Sequence, residues 1–151
     1  MASQVARRLL FDRLVDDDLY TRKEAVPRRS LDLAGLRASV QVELDRLLTT
    51  RCPLPAAEAL SRPRTILSYG LPDLEGARET EKVTSRRLEL LVRDTVEAFE
   101  PRLAGVRVEV ARVEMGRVTV TVHGALVTEA LRHPVRFDID LGAVGRLADG
   151  D

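Results

Sequence analysis

The sequence predicts an α+β domain in which two main amphipathic helices pack on one face of a small three-stranded antiparallel sheet. In two long segments, leucines and valines recur every three or four residues, which is the spacing of a buried helix face. Three later segments alternate apolar and polar residues, as strands do when one side is buried and the other meets solvent. Two helices that cover one sheet form a two-layer α+β domain.

The composition indicates a single domain in a reducing compartment. The chain has 151 residues, of which 44% are hydrophobic, so it can bury a sizeable core. Its 24 basic and 24 acidic residues cancel, and no positive field attracts nucleic acid. A lone cysteine forms no internal disulfide, and no apolar run approaches the roughly 20 residues that cross a bilayer. We therefore expect a cytoplasmic protein with no nucleic-acid partner and no membrane insertion.

We expect residues 1–29 to form an N-terminal arm and residues 30–151 to form the single folded domain. Apolar residues between positions 4 and 15 have helical spacing, so the arm is expected to contain a short helix. The acidic residues 16–18 oppose the helix dipole and end this helix. Residues 21–29 are polar and are typical of an exposed connector.

The first main helix is expected to begin after Ser30, which is a favourable N-cap. Pro53 and Pro55 prevent this helix from continuing past Cys52. Its apolar face consists of Leu33, Leu36, Val40, Leu44, Leu47 and Leu48. At about 20 residues, the predicted helix would be about 30 Å long.

Residues 52–76 contain four of the seven prolines, and we expect them to form an ordered loop that packs on the core. The centre of this loop, Tyr69-Gly70-Leu71-Pro72-Asp73, has strong turn chemistry, because glycine permits unusual backbone angles and proline fixes φ. The expected apolar anchors are Leu60, Ile66, Leu67, Tyr69, Leu71 and Leu74.

The second main helix is predicted over residues 81–99 and is closed by Pro101. Strands follow at residues 106–110, 118–122 and 135–141, where apolar and polar residues alternate strictly. A hairpin turn is expected at residues 114–116. The glycine-rich tail after residue 141 is expected to fray.

The residues offer little support for a metal site or an enzyme. His123, His133 and Cys52 have no ligand spacing, and no phosphate loop or nucleophilic serine motif is present. Glu100 is the carboxylate that most suggests a general acid, as in glycoside hydrolysis, but Arg102 favours its charged form. From the residues alone, the Glu-Pro-Arg triplet fits a plain helix ending, an acid catalyst or a rigid docking point. Docking is the favoured interpretation.

Four segments, in this order and spacing, resemble the TssE family. They are Leu10-Phe11-Asp12-Arg13-Leu14, residues 39–51 with Leu47-Leu48-Thr49-Thr50-Arg51 at their end, residues 66–74, and Phe99-Glu100-Pro101-Arg102-Leu103. TssE proteins are type VI secretion baseplate subunits, related to the gene-25-type wedge proteins of contractile phage tails. The Tyr-Gly-Leu-Pro-Asp segment followed by Glu-Pro-Arg is specific in combination. Family members usually have Asn at the positions of Thr49 and Ser68, which keep the small polar character.

The resemblance implies a non-enzymatic structural subunit without cofactors. It implies that the protein docks to the wedge proteins TssF, TssG and TssK, templates a sheath made of TssB and TssC, and lies near the VgrG spike hub. The implied location is the cytoplasm, at a baseplate docked on the inner membrane. The implied docking residues are Tyr69, Gly70, Leu71, Pro72, Asp73, Glu100, Pro101 and Arg102. The alternatives are a wedge protein of a phage-tail-like injection particle and a peptidoglycan-cleaving, lysozyme-like hydrolase.

Overall fold

Two long helices and a three-stranded antiparallel sheet form the centre of the protein, which confirms the predicted α+β class. The computed structural model describes residues 6–7, 20, 30–73, 81–114, 117–128 and 131–143. The elements are strands β1 (Ala6–Arg7) and β2 (Ser30–Leu31), helix α1 (Leu33–Thr49), strand β3 (Arg51–Pro55), helix α2 (Ala56–Ser61), a 3-10 helix (Ile66–Ser68), strand β4 (Leu71–Asp73), helix α3 (Glu81–Phe99), and strands β5 (Leu103–Glu114), β6 (Arg117–Val127) and β7 (Arg132–Ala143).

The first described residues pair with the start of the helical region. Ala6 lies opposite Leu31 and Arg7 lies opposite Ser30 in an antiparallel pair, and Ala6 and Leu31 also pack against the core. These two N-terminal residues therefore form a strand where the periodicity predicts a helix, because pairing with a segment more than twenty residues away leaves no local signal. The rest of the predicted helix at residues 4–15 lies outside the described residues.

Helix α1 begins two residues later than predicted. Its N-cap is Asp32, whose carboxylate accepts a hydrogen bond of 2.7 Å from the backbone N–H of Gly35. Ser30 is not the cap, because its backbone pairs with Arg7 in the small β1–β2 sheet. Leu33, in the first turn, is 37% exposed, whereas the other leucines and the valine of the predicted face are buried.

Residues 51–73 contain regular structure where the sequence predicts a loop. Strand β3 pairs in parallel with β4, and Arg51 lies opposite Leu71. Helix α2 and the 3-10 helix connect the two strands. The strands are too short to show a period in the sequence, so only their pairing reveals them.

Of the expected anchors in this segment, Leu71 is buried and Tyr69 is half-buried. Leu60, Ile66 and Leu67 are 43%, 85% and 82% exposed, so the prediction that they anchor the loop is wrong. Leu74 lies outside the described residues.

The main sheet has the strand order β5-β6-β7, and helices α1 and α3 cover one of its faces. Val122 lies opposite both Val108 and Phe137, so the valine-rich sides of the strands meet in the core as predicted. Glu114 pairs with Arg117, and the turn residues between them, 115 and 116, lie outside the described residues. Strand β7 continues to Ala143, and the remaining tail also lies outside them.

Candidate docking surface

The Glu-Pro-Arg triplet forms the turn that leads from α3 into β5. The Glu100 N–H still donates to the Val96 carbonyl at 2.8 Å, as in the last turn of a helix. Pro101 has no N–H to donate, and the helix ends there. The Leu103 N–H donates to the Glu100 carbonyl at 3.1 Å, which closes a β-turn with proline at its favoured second position.

Inside this turn, Glu100 and Arg102 form a two-pronged ion pair. Arg102 Nε donates to Glu100 Oε1 at 2.8 Å, and Nη2 donates to Oε2 at 2.6 Å. The backbone N–H of Arg102 also donates to Oε1, at 3.1 Å. Glu100 is only 3% exposed, so this charge-assisted pair is largely shielded from water.

Arg102 connects the turn to the two neighbouring layers. Its Nη1 donates to Ser39 Oγ on α1 at 3.0 Å. Its carbonyl accepts from the Val127 N–H, at the end of β6, at 2.8 Å. The turn is therefore held by α1, α3 and the sheet together, and the ring of Pro101 is exposed at its tip.

This geometry is unsuited to a general acid. Both carboxylate oxygens of Glu100 accept hydrogen bonds from Arg102, and the residue is buried. A general acid must reach a substrate atom directly or through one water molecule. Neither oxygen of Glu100 is presented to solvent in that way.

The Tyr69–Asp73 segment is held against the end of α1. The Leu71 N–H donates to the Thr50 carbonyl at 2.8 Å. Gly70 has a φ of 102°, and a Cβ added to it would lie 2.5 Å from the same carbonyl oxygen. Glycine is therefore required here, both for its backbone conformation and for the close approach.

The structure brings this segment beside the Glu-Pro-Arg turn. The rings of Tyr69 and Phe99 meet edge to face, with centroids 5.2 Å apart and planes at 65°. Phe99 immediately precedes Glu100 in the chain. Two motifs that are about thirty positions apart in the sequence thus form one region of the structure.

The eight predicted docking residues differ in exposure. Pro101 is exposed, and Tyr69 and Arg102 are half-buried. Four others are buried, namely Gly70, Leu71, Pro72 and Glu100. The side chain of Asp73 lies outside the described residues. The role of these residues in docking stays a prediction, and four of the eight are buried.

The Tyr69 hydroxyl lies in an environment that disfavours its ionisation. Burial is the largest cause that raises the pKa of Tyr69, and the nearby carboxylates of Glu43 and Glu100 raise it further. The guanidinium of Arg46 acts in the opposite direction. The phenol is therefore neutral over the physiological range and can act as a hydrogen-bond donor.

Arg64 has a buried side chain in this region, and the sequence does not identify it. Its side chain is 3% exposed, and its guanidinium lies 5.5 Å from the centroid of the Phe99 ring. Nη1 donates to Asp94 on α3 at 3.1 Å. Nη2 donates to the carbonyls of Ser68 and Gly70 at 2.8 and 2.6 Å. Its only signal in the sequence is a basic residue among prolines, which is usually exposed.

Ile66 and Leu67, beside this cluster, form an apolar turn on the surface. They occupy the first two positions of the 3-10 helix and are 85% and 82% exposed. Ser68 Oγ accepts from the Thr65 N–H at 2.8 Å and donates to the Thr65 carbonyl at 2.9 Å, which fixes the turn. Two adjacent aliphatic side chains are therefore presented to solvent on an ordered backbone.

The described residues give no sign of metal chemistry or of a membrane segment. Among them, no three His, Cys, Asp or Glu side chains come together as ligands. No helix in the described part of the chain has both the length and the apolar character needed to cross a bilayer.

Comparison with known proteins identifies the family. The chain is similar to one chain of a solved structure titled "The baseplate complex from the type VI secretion system", with 20% sequence identity and a TM-score of 0.45 over 68% of this chain and 91% of that chain. No curated protein sequence matches the chain. Residues 34–131 match the family described as baseplate wedge protein gp25. The matched residues extend from helix α1 through strand β6. The chain therefore belongs to the gp25 family of baseplate wedge proteins, which are structural baseplate components.

Proposed function

We propose that this protein is a structural subunit of a type VI secretion baseplate that docks to the other wedge subunits and starts assembly of the contractile sheath. Family membership supports the baseplate role. The observation that carries the docking role is the buried Glu100–Arg102 pair beneath the exposed Pro101. A buried ion pair is seldom more stabilising than apolar side chains of similar size, so its presence at a surface turn fits a role in holding that turn in one geometry.

The docking surface in this proposal consists of Ile66, Leu67, Tyr69, Pro101 and Arg102. Exposed apolar side chains on an ordered turn are typical of protein–protein contacts. Tyr and Arg are enriched among the residues that contribute most to binding. The contact between Tyr69 and Phe99 joins the two parts of this surface.

The proposed partners are TssF, TssG and TssK in the wedge, with TssB and TssC in the sheath and the VgrG spike hub nearby. The proposed location is the cytoplasmic side of the inner membrane, where the baseplate docks. We also propose that the protein is not an enzyme, because both oxygens of Glu100 are engaged by Arg102. Purified protein is therefore expected to leave the turbidity of a cell-wall suspension unchanged.

The docking proposal needs a variant that removes the ion pair and keeps the fold. Reversing the charge of Glu100 would leave two like charges buried together, and loss of folding would hide the effect on docking. We choose the double change Glu100→Leu/Arg102→Met, because replacing both partners with apolar residues leaves no unpaired charge.

We expect this double variant to fold with a urea midpoint near that of the wild type and to fail to co-purify with co-expressed TssF and TssG. The matched control is Arg117→Met/Asp140→Leu, which removes an exposed ion pair on the outer face of the sheet. The control should co-purify normally. Normal co-purification of a folded Glu100→Leu/Arg102→Met variant would refute the docking role.

The sheath-starting role requires a free sheet edge, to which a strand of a sheath subunit can add. At the β5 edge, the Val110 N–H is already bonded to the Glu89 carboxylate of α3 at 3.1 Å. At the β7 edge, the Arg136 carbonyl faces outward and accepts from Arg37 at 3.3 Å. An incoming strand can displace this exposed side chain, whereas the Glu89 bond at the β5 edge is partly buried. In an antiparallel strand, the N–H and C=O of one residue point to the same side, so the Arg136 N–H also faces outward. We therefore assign the strand-accepting edge to β7.

The change Arg136→Pro tests this edge. It removes one outward N–H, which an edge strand tolerates, and it leaves Phe137 in the core. We expect loss of sheath initiation, seen as absence of sheath tubes by electron microscopy, with wedge co-purification retained. Arg136→Ala is the control and should support sheath formation. If Arg136→Pro still initiates sheaths, β7 is not the accepting edge.

A further inference from the structure

We propose that Arg64 is a positioning residue that joins the 66–69 turn and the Glu100 turn into one rigid docking surface, so that a partner subunit must engage both at once. The inference rests on the docking function proposed above. It assigns a role to a residue that belongs to neither of the two sequence motifs.

Arg64 holds the segment around Tyr69 by hydrogen bonds to its backbone. Its Nη2 donates to the carbonyl of Ser68 and to the carbonyl of Gly70, the residues on either side of Tyr69. One nitrogen thus bonds the peptide group between Ser68 and Tyr69 and the peptide group between Gly70 and Leu71. These bonds hold the backbone on both sides of Tyr69, whose ring packs against Phe99.

Arg64 also links this segment to α3. Arg64 Nη1 bonds to Asp94, and the guanidinium lies over the ring of Phe99, 5.5 Å from its centroid. Tyr69 meets the same ring edge to face. Because Glu100 follows Phe99 directly, a displacement of the 66–69 turn is transmitted through one aromatic ring to the Glu-Pro-Arg turn.

The burial of the Arg64 guanidinium has an energetic cost. The Arg64 side chain is 3% exposed, and among the described residues its Nε has no hydrogen-bond partner. Burying a guanidinium with one unpaired N–H donor lowers the free energy of unfolding relative to a fully paired or apolar side chain, so stability alone does not account for Arg64. Only arginine can bond two carbonyls and a carboxylate while its flat group packs on a ring, and lysine cannot reproduce that geometry.

The test uses Arg64→Lys, which keeps the charge and loses the planar group. The control is Arg117→Lys, an exposed arginine on the outer face of the sheet. For each protein we would measure urea unfolding, affinity for purified TssF and TssG, and amide hydrogen exchange. Exchange of the Leu71 amide, which is bonded to the Thr50 carbonyl, reports on the Tyr69–Asp73 segment. Exchange of the Val92 and Val96 amides reports on the core.

We expect Arg64→Lys to weaken partner binding at least about tenfold, the equivalent of losing one hydrogen bond to a charged group. Exchange at Leu71 should accelerate while exchange at Val92 and Val96 stays unchanged. Arg117→Lys should match the wild type in all three measurements.

Two results would overturn the inference. One is wild-type affinity of Arg64→Lys. The other is weaker binding with equally accelerated exchange throughout the core, which indicates a merely structural role. The Glu100→Leu/Arg102→Met variant separates the two proposals. If it fails to bind while Arg64→Lys binds normally, docking stands and the role of Arg64 falls; if both bind normally, the docking function itself fails.

Discussion

The buried polar side chains of this domain differ in whether they have a hydrogen-bond partner. Among the described residues, Ser68, Thr95, Glu100 and Thr121 are buried. The first, third and fourth have hydrogen-bond partners, in Thr65, Arg102 and Asp138. Thr95, on the buried side of α3, has no hydrogen-bond partner for its hydroxyl within the described part of the chain. Unpaired and paired buried hydroxyls are expected to respond to substitution in opposite directions.

We expect Thr95→Val to stabilise the protein by about 1 kcal/mol, because it removes an unpaired buried hydroxyl and keeps the shape of the side chain. Urea denaturation followed by circular dichroism measures the change. The matched control is Thr121→Val, whose hydroxyl bonds Asp138 at 2.7 Å. It should destabilise by about 1 kcal/mol. A destabilised Thr95→Val protein would mean that the hydroxyl has a partner.

The phenol of Tyr69 reports on the candidate docking surface. Because burial raises its pKa, the folded state holds this proton more tightly than the unfolded state does. Its contribution to stability is therefore complete below pH about 10 and is lost as the pH rises through the folded pKa. In Tyr20→Phe protein, where Tyr69 is the only tyrosine, the absorbance titration should have its midpoint above that of the same protein in urea. Equal midpoints would contradict this environment.

At the scale of elements, the end of α1 and the start of β4 are joined through glycine. The Thr50 carbonyl accepts a hydrogen bond from the Leu71 N–H, and a Cβ added to Gly70 would lie 2.5 Å from its oxygen. This contact positions the Tyr69–Asp73 segment relative to the helix. The segment therefore depends on close backbone packing as well as on its own turn residues.

Gly70→Ala is expected to destabilise the fold by about 2–4 kcal/mol, because it adds a backbone clash to a positive φ. Gly142→Ala is the control, since Gly142 also has a positive φ, of 69°, but open space around it. It should cost about 1 kcal/mol. Thermal or urea unfolding measures both. Similar losses for the two variants would show that the close approach to Thr50 has no cost.

The apolar turn of the docking surface is expected to affect binding without affecting stability. Ile66→Asp/Leu67→Asp should abolish co-purification with wedge partners and change the free energy of unfolding by no more than about 0.5 kcal/mol per site, because both side chains are exposed. Leu131→Asp, at a residue 63% exposed in the β6–β7 connection, is the control and should bind normally. Retained binding by the double variant would remove this turn from the docking surface.

At the scale of the whole molecule, the basic and acidic residues balance in number. Some of them form ion pairs on the face of the sheet that points away from the helices. A hydrogen bond from Thr121 is the largest cause that lowers the pKa of Asp138, and Arg136 adds to it. A hydrogen bond from the Gly142 N–H is the largest cause that lowers the pKa of Asp140, with Arg117 next. Two ion pairs lie on this face: Arg136 pairs with Asp138 within β7, and Arg117 of β6 pairs with Asp140 of β7.

Because these pKa values are lowered on folding, both carboxylates stabilise the fold above the pKa of an unfolded aspartate, about 4. That contribution is lost as the pH falls through the folded pKa. We expect the urea midpoint to decrease as the pH is lowered from about 5 to about 2. The decrease should be smaller in the Asp138→Asn/Asp140→Asn protein. Asp45→Asn, on the exposed side of α1, is the control. An unchanged acid dependence in the double variant would contradict the assignment.

Periodicity predicted the two helices and three strands well, because each long element buries a repeating set of residues. Helix α3 has the predicted bounds, and Val118, Val120 and Val122 are buried as expected. Short elements were missed. The pairing of β3 with β4 and the exchange of Ser30 for Asp32 as helix cap depend on contacts between separate parts of the chain. The docking motifs were recognisable, but Ile66 and Leu67 were assigned to the core, because an aliphatic side chain carries no local sign of its exposure.

Local periodicity and ordered motifs were sufficient to predict the fold class, the long elements and the resemblance to baseplate wedge proteins. The arrangement of the charges in the Glu-Pro-Arg triplet, by contrast, depends on tertiary contacts. The tertiary structure placed Glu100 inside and engaged both of its oxygens with Arg102. It also brought Tyr69 onto Phe99 and placed Arg64 between two carbonyls and Asp94. Burial and partner choice arise from residues distant in the chain, and no local pattern encodes them.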